Sequence, residues 1–294
     1  MSLKLHRPRS VEKTSHQVAG PRRIGSNGIR RHAWLPCTRM ERCIHRASLI
    51  AVASSSSTTS TSSGQRGRAE RKDDGKKRLA VFVSGGGSNF KAIHHAIRQG
   101  EIRGGEVVVV VTNAPSCGGA EYARQHGIPV LVYPPRKSQS SSSSTSESVS
   151  TAEELAIDQL KEKFNVNLII LAGYMKLIPG TVVDTFPKAI VNIHPGLLPS
   201  FGGKGFYGSR VHEAVIRSGA RFSGPTVHFI DEEYDTGPIL SQAVVPVYPT
   251  DTAETLASRV LKQEHILYPR CIAAICEDRV EWRDDGIPFI WEAL

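Results

Sequence analysis

The sequence predicts an α/β fold: a mostly parallel, twisted sheet with flanking helices, built as one domain over residues 76–294. Three observations point to it. β-Branched runs recur, and EVVVVVT at 106–112 is apolar at consecutive positions, as a strand buried on both faces requires. These runs alternate with segments of helical spacing, which is how βαβ units read. The first run ends in Gly85-Gly86-Gly87 and leads directly into a helix, a Rossmann-like opening.

Taken in order, Arg78–Ser84 reads as a buried strand and Phe90–Arg98 as a helix, with Ile93, His94 and Ile97 at helical spacing. Ser88 and Asn89 are the expected N-cap types. Glu106–Thr112 is the second strand, Cys117–His126 a helix stopped by Gly127, and Pro129–Val132 a short third strand. Residues 134–150 break the pattern with a Ser-rich run, read as a solvated insertion. Thr151–Glu154 resembles a capping box opening a helix to Phe164, with Leu155, Leu160 and Phe164 expected inward. Leu168–Ala172 is the fourth strand, and Gly173–Ile178 leaves it as an apolar loop. Pro179–Phe186 is a short helix and Ala189–Ile193 the fifth strand. A Gly-rich loop follows, then a helix over Tyr207–Ser218. Gly224–Ile230 alternates like a half-exposed strand, and Ile239–Val247 reads as one more strand. Thr250-Asp251 is expected to cap a long helix ending near Glu277, with Cys271 and Cys276 in its core face. Val280–Leu294 reads as a small hairpin or an extended cover.

The net charge of +9 is segregated. Residues 1–72 carry 15 Lys and Arg against Glu12, Glu41 and Glu70, whereas the rest carries 22 basic and 25 acidic side chains. The basic excess therefore belongs to a tail, and the body is read as no nucleic-acid binder. The five Cys include no CxxC pair, and no apolar run approaches the ~18 residues of a membrane span. Residues 1–75 are Arg-rich, Ser-rich and acid-poor, the composition of an organellar transit peptide. Their Ser/Thr tract, 54–63, points to the plastid stroma, with the mitochondrion as the other destination. A basic tail retained in the mature protein is the competing reading. Oligomeric state is not legible.

The chemistry concentrates at Asn192-Ile193-His194-Pro195. Residues two apart on a strand share a face, so Asn192 and His194 reach one point beyond the carboxyl end of the sheet, where open α/β sheets bind ligands. An amide donates to an oxygen gaining charge, and an imidazole exchanges protons near neutrality. An Asn and a His ordering a turn is the alternative. Gly86-Gly87-Ser88-Asn89 suits a single phosphate better than a dinucleotide, since it lacks both the third Gly of GxGxxG and the Lys of a P-loop. A tight, ordinarily capped turn is the alternative there. Downstream, Asp231, Glu232, Glu233 and Asp235 are equivalent candidates for a nearby carboxylate.

Five spaced motifs give the chain a resemblance: Ser84-Gly-Gly-Gly-Ser-Asn89, Leu171-Ala-Gly-Tyr-Met175, Asn192-Ile-His-Pro195 with Leu198-Pro199, His228-Phe229, and Asp235-Thr-Gly-Pro238. In this order they resemble the folate-dependent phosphoribosylglycinamide formyltransferases over Lys76 to about Ile290. The resemblance implies the formyltransferase fold as a single catalytic domain. It implies formyl transfer from 10-formyltetrahydrofolate to the amine of phosphoribosylglycinamide in purine synthesis, with small molecules as partners and without a metal. Carried over by motif, Asn192, His194 and Asp235 form the catalytic trio, and Asp235 is expected to raise the pKa of His194. Gly86, Gly87, Ser88 and Asn89 hold the ribose phosphate, and Glu264 approaches the glycinamide end or is a solvated helix position. Met175, Lys176, Leu177, Ile178 and Asn192 line the folate site, and His228 stands behind the trio. Lys204 is a substrate contact or a mobile surface Lys. In the family an Arg from the segment before the fourth strand stands near the folate tail; here that segment is the Ser-rich insertion, with Arg136 and Lys137 at its start, and no residue is assigned to that place.

Three other readings compete. A formyltetrahydrofolate deformylase would use water in place of the amine and adds an N-terminal βαβ domain, a pattern that residues 1–75 lack. Other folate-dependent formyltransferases would require a basic RNA-binding domain or a sugar nucleotide. A non-catalytic nucleotide-binding regulator would leave the Asn192/His194 pair unexplained.

Overall fold

The computed structural model describes residues 75–134 and 154–291. The expected transit segment and most of the Ser-rich insertion lie outside the described residues. The strands are β1 (Lys77–Val83), β2 (Gly105–Thr112), β3 (Val130–Val132), β4 (Leu168–Leu171), β5 (Ile190–His194), β6 (Phe222–Ser223), β7 (Thr226–Phe229), β8 (Ile239–Gln242), β9 (Val245–Pro246), β10 (Val280–Trp282) and β11 (Pro288–Ile290). The α-helices are α1 (Ser88–Gln99), α2 (Gly118–Gln125), α3 (Gly180–Thr185), α4 (Ser209–Ser218) and α5 (Ala253–Cys276). Helical residues 154–158 run into a π-helical turn, Gln159–Lys163.

Seven strands form the main sheet in the order β3-β2-β1-β4-β5-β7-β8. The first five are parallel; β7 runs antiparallel to β5, and β8 antiparallel to β7. The period of two along each strand divides the core. Leu79, Val81 and Val83 of β1 pack with Phe90 and Ile93 of α1 and with Leu267 and Ile272 of α5. Ala80 and Phe82 face the other way, towards Leu160, Val182 and Phe186. Each fully buried Ile or Phe here contributes about 1.5–3 kcal/mol. Among the described residues no helix is long and apolar enough to cross a membrane.

Several local expectations are corrected. Leu155 is 61% exposed, and Ala156 takes the inward position beside Leu160. The strand expected to be half exposed is buried at every position of β7, because the chain covers both its faces. The single strand expected over Ile239–Val247 divides: β8 stays in the main sheet while β9 pairs with β6. Thr252, not Thr250-Asp251, caps α5, in a capping box with Thr255. Asp251 instead receives two 2.7 Å bonds from Arg259. The N-cap of α1 is Gly87, without a side-chain bond, so Ser88 and Asn89 are its first helical residues.

The candidate active site

Strand β5 is the last parallel strand, and β7 beside it reverses direction. Its carboxyl end therefore opens where the sheet changes sense. The register pairs Asn192 with His228 and His194 with Thr226. Beyond His194 the loop is tied down by Thr226, whose Oγ1–H donates to the Gly196 carbonyl (2.7 Å) and accepts from the Leu198 N–H (3.1 Å). Gln242 Nε2 donates to both Thr226 Oγ1 and the Leu198 carbonyl. Tyr268 of α5, fully buried, sets its hydroxyl 3.0 Å from the carbonyls of Leu171 and Val191. It thereby holds the ends of β4 and β5 together from behind.

Asp235 stands between two histidines. Its Oδ2 lies 3.5 Å from His194 Nδ1 and its Oδ1 3.7 Å from His228 Nε2. The Gly203 N–H donates to Oδ2 at 3.0 Å. Asp235 is left-handed (φ 59°), a region Asp tolerates better than most residues. Gly202 permits the approach, since a Cβ there would overlap Leu198 and lie 3.1 Å from the Asp235 Cβ. Asp231, by contrast, accepts from Thr236 and the Glu233 N–H, and so orders the turn.

The expected upward effect of Asp235 on His194 is present but outweighed. Burial pushes its pKa below the usual value near 6.5, and the pull of Asp235 and the Phe201 carbonyl in the other direction is smaller. His194 Nε2–H donates to the Phe201 carbonyl at 2.9 Å, so both ring nitrogens already face a protein oxygen. His228, fully buried, is likewise lowered by burial against the opposing effect of Asp235.

A cavity of about 1070 Å³ opens over this group. Asn89, Met175, Lys176, Leu177, Ile178, Asn192, His194, Asp235, Lys204 and Glu264 all line it. Gly86, Gly87, Ser88 and His228 do not. Met175 and Leu177 are 53% and 49% exposed, an apolar wall facing space, while Ile178 is buried beneath. The Met175 loop is anchored by Ser84, whose Oγ accepts the Met175 N–H and donates to Asn113. At the Gly-rich turn, Gly87 has φ +69°, and a Cβ there would stand 2.7 Å from the Gly119 Cα. A Cβ at Gly86 would meet open space, which leaves that side free for a ligand. Glu264 is only 8% exposed, so the solvated reading is wrong; it accepts from Asn89 Nδ2 at 2.6 Å, and burial raises its pKa. One Asn89 N–H is thus engaged by protein, and its Oδ1 is buried without a partner among the described residues.

Thr226, Gln242, Tyr268, Phe201 and His212 were missed. All act over 7 to 97 residues of separation or, for His212 in α4, through burial against the cavity, so no local pattern marks them.

A model of the formyl transferase family matches residues 77–272. Chloroplastic phosphoribosylglycinamide formyltransferase of Vigna unguiculata is 55% identical over 215 residues, 73% of this chain and 66% of that protein. The matched part therefore spans about two thirds of that relative. Phosphoribosylglycinamide formyltransferase of Bacillus subtilis (strain 168) is 37% identical over 196 residues, 67% of this chain and 93% of that protein. The crystal structure of glycinamide ribonucleotide transformylase 1 from Symbiobacterium toebii superposes with a TM-score of 0.64 at 34% identity, covering 74% of this chain and 96% of that one.

Proposed function

This chain belongs to the formyl transferase family, and from that premise we propose that it moves the formyl group of 10-formyltetrahydrofolate to the amine of 5-phosphoribosylglycinamide. The products are formylglycinamide ribonucleotide and tetrahydrofolate, in de novo purine biosynthesis. The observation that carries the reading is the meeting, in one cavity, of a carboxamide, an imidazole and a carboxylate beside an apolar wall.

The cavity fits the formyl donor: Met175, Leu177 and Ile178 offer an apolar face to a flat heteroaromatic ring, and the polar end lies at Asn192. The amine attacks the formyl carbon and the carbonyl oxygen gains charge; collapse of this intermediate breaks the formyl C–N10 bond, and the proton the amine gives up goes to N10 of the departing tetrahydrofolate. Asn192 donates to that oxygen. His194 joins it when its Nε2–H exchanges the Phe201 carbonyl for the substrate oxygen. Asp235, 3.5 Å from His194 Nδ1, supports the ring as it takes up positive charge. Gly86, Gly87 and Ser88 at the start of α1 take the ribose phosphate, chiefly through backbone N–H groups at the helix N-terminus. Asn89 holds Glu264 in place, and Glu264 faces the glycinamide end. Residues 76–294 are the catalytic domain. Residues 1–75 act as a transit peptide to the plastid, the organelle that the chloroplastic name of the Vigna relative supports, with the stroma as the destination within it.

Purified protein supplied with both substrates tests this. Formylglycinamide ribonucleotide and tetrahydrofolate are expected in equal amounts. Formate release without transfer would replace the reading with a deformylase, and no turnover would replace it with a binding protein.

A further inference from the structure

His228 is fully buried, does not line the cavity, and yet touches two members of the trio. Its hydrogen bonds determine its proton. Nδ1 lies 2.9 Å from the Phe229 carbonyl, which only accepts, so Nδ1 carries a hydrogen. Nε2 lies 3.2 Å from Asn192 Nδ2, which only donates, so Nε2 keeps its lone pair. The contact is built by strand register, since Asn192 and His228 are directly opposed across β5 and β7. The charged groups around the ring are Asp235 at 3.7 Å from Nε2, with Asp231 and His194 beyond.

This orientation leaves Asn192 with one free N–H and with Oδ1, which has no hydrogen-bond partner among the described residues. Asn192 lines the cavity, so it offers one donor and one acceptor there. A His228 carrying hydrogen on Nε2 would instead demand the Asn192 oxygen and turn the amide by half a rotation. Asn192 would then show the cavity two donors and no acceptor, and Nε2–H would be drawn to Asp235.

We propose that His228 is a positioning residue: as the Nδ1–H imidazole it locks the Asn192 amide so that one N–H donates to the formyl oxygen while Oδ1 accepts from the attacking amine. The inference rests on the proposed formyl transfer for its catalytic meaning, but the lock itself is a property of the free protein. The Asn192 acceptor orients the amine's lone pair towards the formyl carbon by holding one of its N–H bonds. The rotamer of Asn192 is thus set by a residue that touches neither substrate.

Two measurements test it on the full chain. The ring ¹⁵N spectrum of ¹⁵N-histidine-labelled protein at neutral pH, assigned by the signal lost in His228→Gln, is expected to show a neutral Nδ1–H ring at His228. An Nε2–H ring or a doubly protonated one would overturn the lock, whether or not the protein transfers formyl groups. In turnover, His228→Leu is expected to lower kcat about 100-fold, the scale of losing an oriented donor, with both KM values within about threefold of wild type. His228→Gln, whose Oε1 can accept from Asn192, is expected to restore at least about tenfold of that loss. In an Asn192→Ala background, His228→Leu is expected to cost less than about threefold further, because the two act as one unit. A full additive loss there would overturn the proposal. If His228→Leu does not fold, the wild-type ring spectrum still decides. Absence of transfer by the wild type would sink the functional reading and leave the tautomer result standing.

Discussion

In the parallel half of the sheet, β3 to β5, the groups facing the cavity stand at or just beyond strand ends: Asn89 at the start of α1, Met175 after β4, Asn192 and His194 closing β5. In the antiparallel half, polar groups sit within the strand. His228 and Thr226 of β7 are completely buried, and each is satisfied by partners on β5 or in the loop that follows it. The difference teaches how the two halves divide labour. Parallel strands deliver backbone turns and side chains to one edge, because all their carboxyl ends point the same way. The reversed strand places side chains directly across from that edge, where cross-strand pairing fixes them to within one contact.

The comparison breaks first at the seam. Asn192→Ala and His194→Ala are each expected to lose at least about 100-fold in rate, read by steady-state assay, with a thermal melt showing that the fold survives. If either variant turned over at wild-type speed, the seam would be a structural joint only. Asp235→Asn is expected to cost at least about tenfold at pH 7.5, because removal of the carboxylate lowers the His194 pKa further and depletes its charged form. Its rate should recover on acidification. Full activity across about pH 6 to 9 would remove Asp235 from the mechanism.

The parallel half answers to backbone geometry instead. Gly87→Ala is expected to destabilise by about 2 kcal/mol, through its left-handed φ and the 2.7 Å approach to Gly119, as read by urea denaturation. It should raise the KM for the phosphate-bearing substrate more than it lowers kcat. An unchanged midpoint would show that the turn relaxes freely. The smallest effect is electrostatic and shared by both halves. His194, His212 and His228 all have pKa values lowered by burial. The unfolded chain therefore binds more protons below about pH 6.5, and stability present above that value is lost as pH falls through the folded-state values. The melting temperature should decline from pH 7 to pH 5, and less steeply in His212→Phe.

Much of the parallel half was legible because its signals are local. A β-branched run such as Val107–Val111 has to be buried on both faces, and a Gly-rich turn before Phe90 has to lead into a helix. The position of Asn192 and His194 at a strand end followed from spacing alone. The antiparallel half was read less well. Thr226 looked like one residue of an alternating strand, and its three hydrogen bonds reach residues 16 to 30 positions away.

The sequence by itself determined most of the strands and helices in their order along the chain and the strand end that carries the amide and imidazole, since those depend on periodicity within a few residues. The motif before Thr236-Gly237-Pro238 already singled out Asp235, but only the tertiary structure decided how near it stands to His194 and that burial outweighs its carboxylate at that ring. It alone decided that Glu264 leaves solvent to hold Asn89, and that His228 fixes the Asn192 amide. Each is a balance of burial against partners from distant parts of the chain, and such balances exist only once the chain is folded.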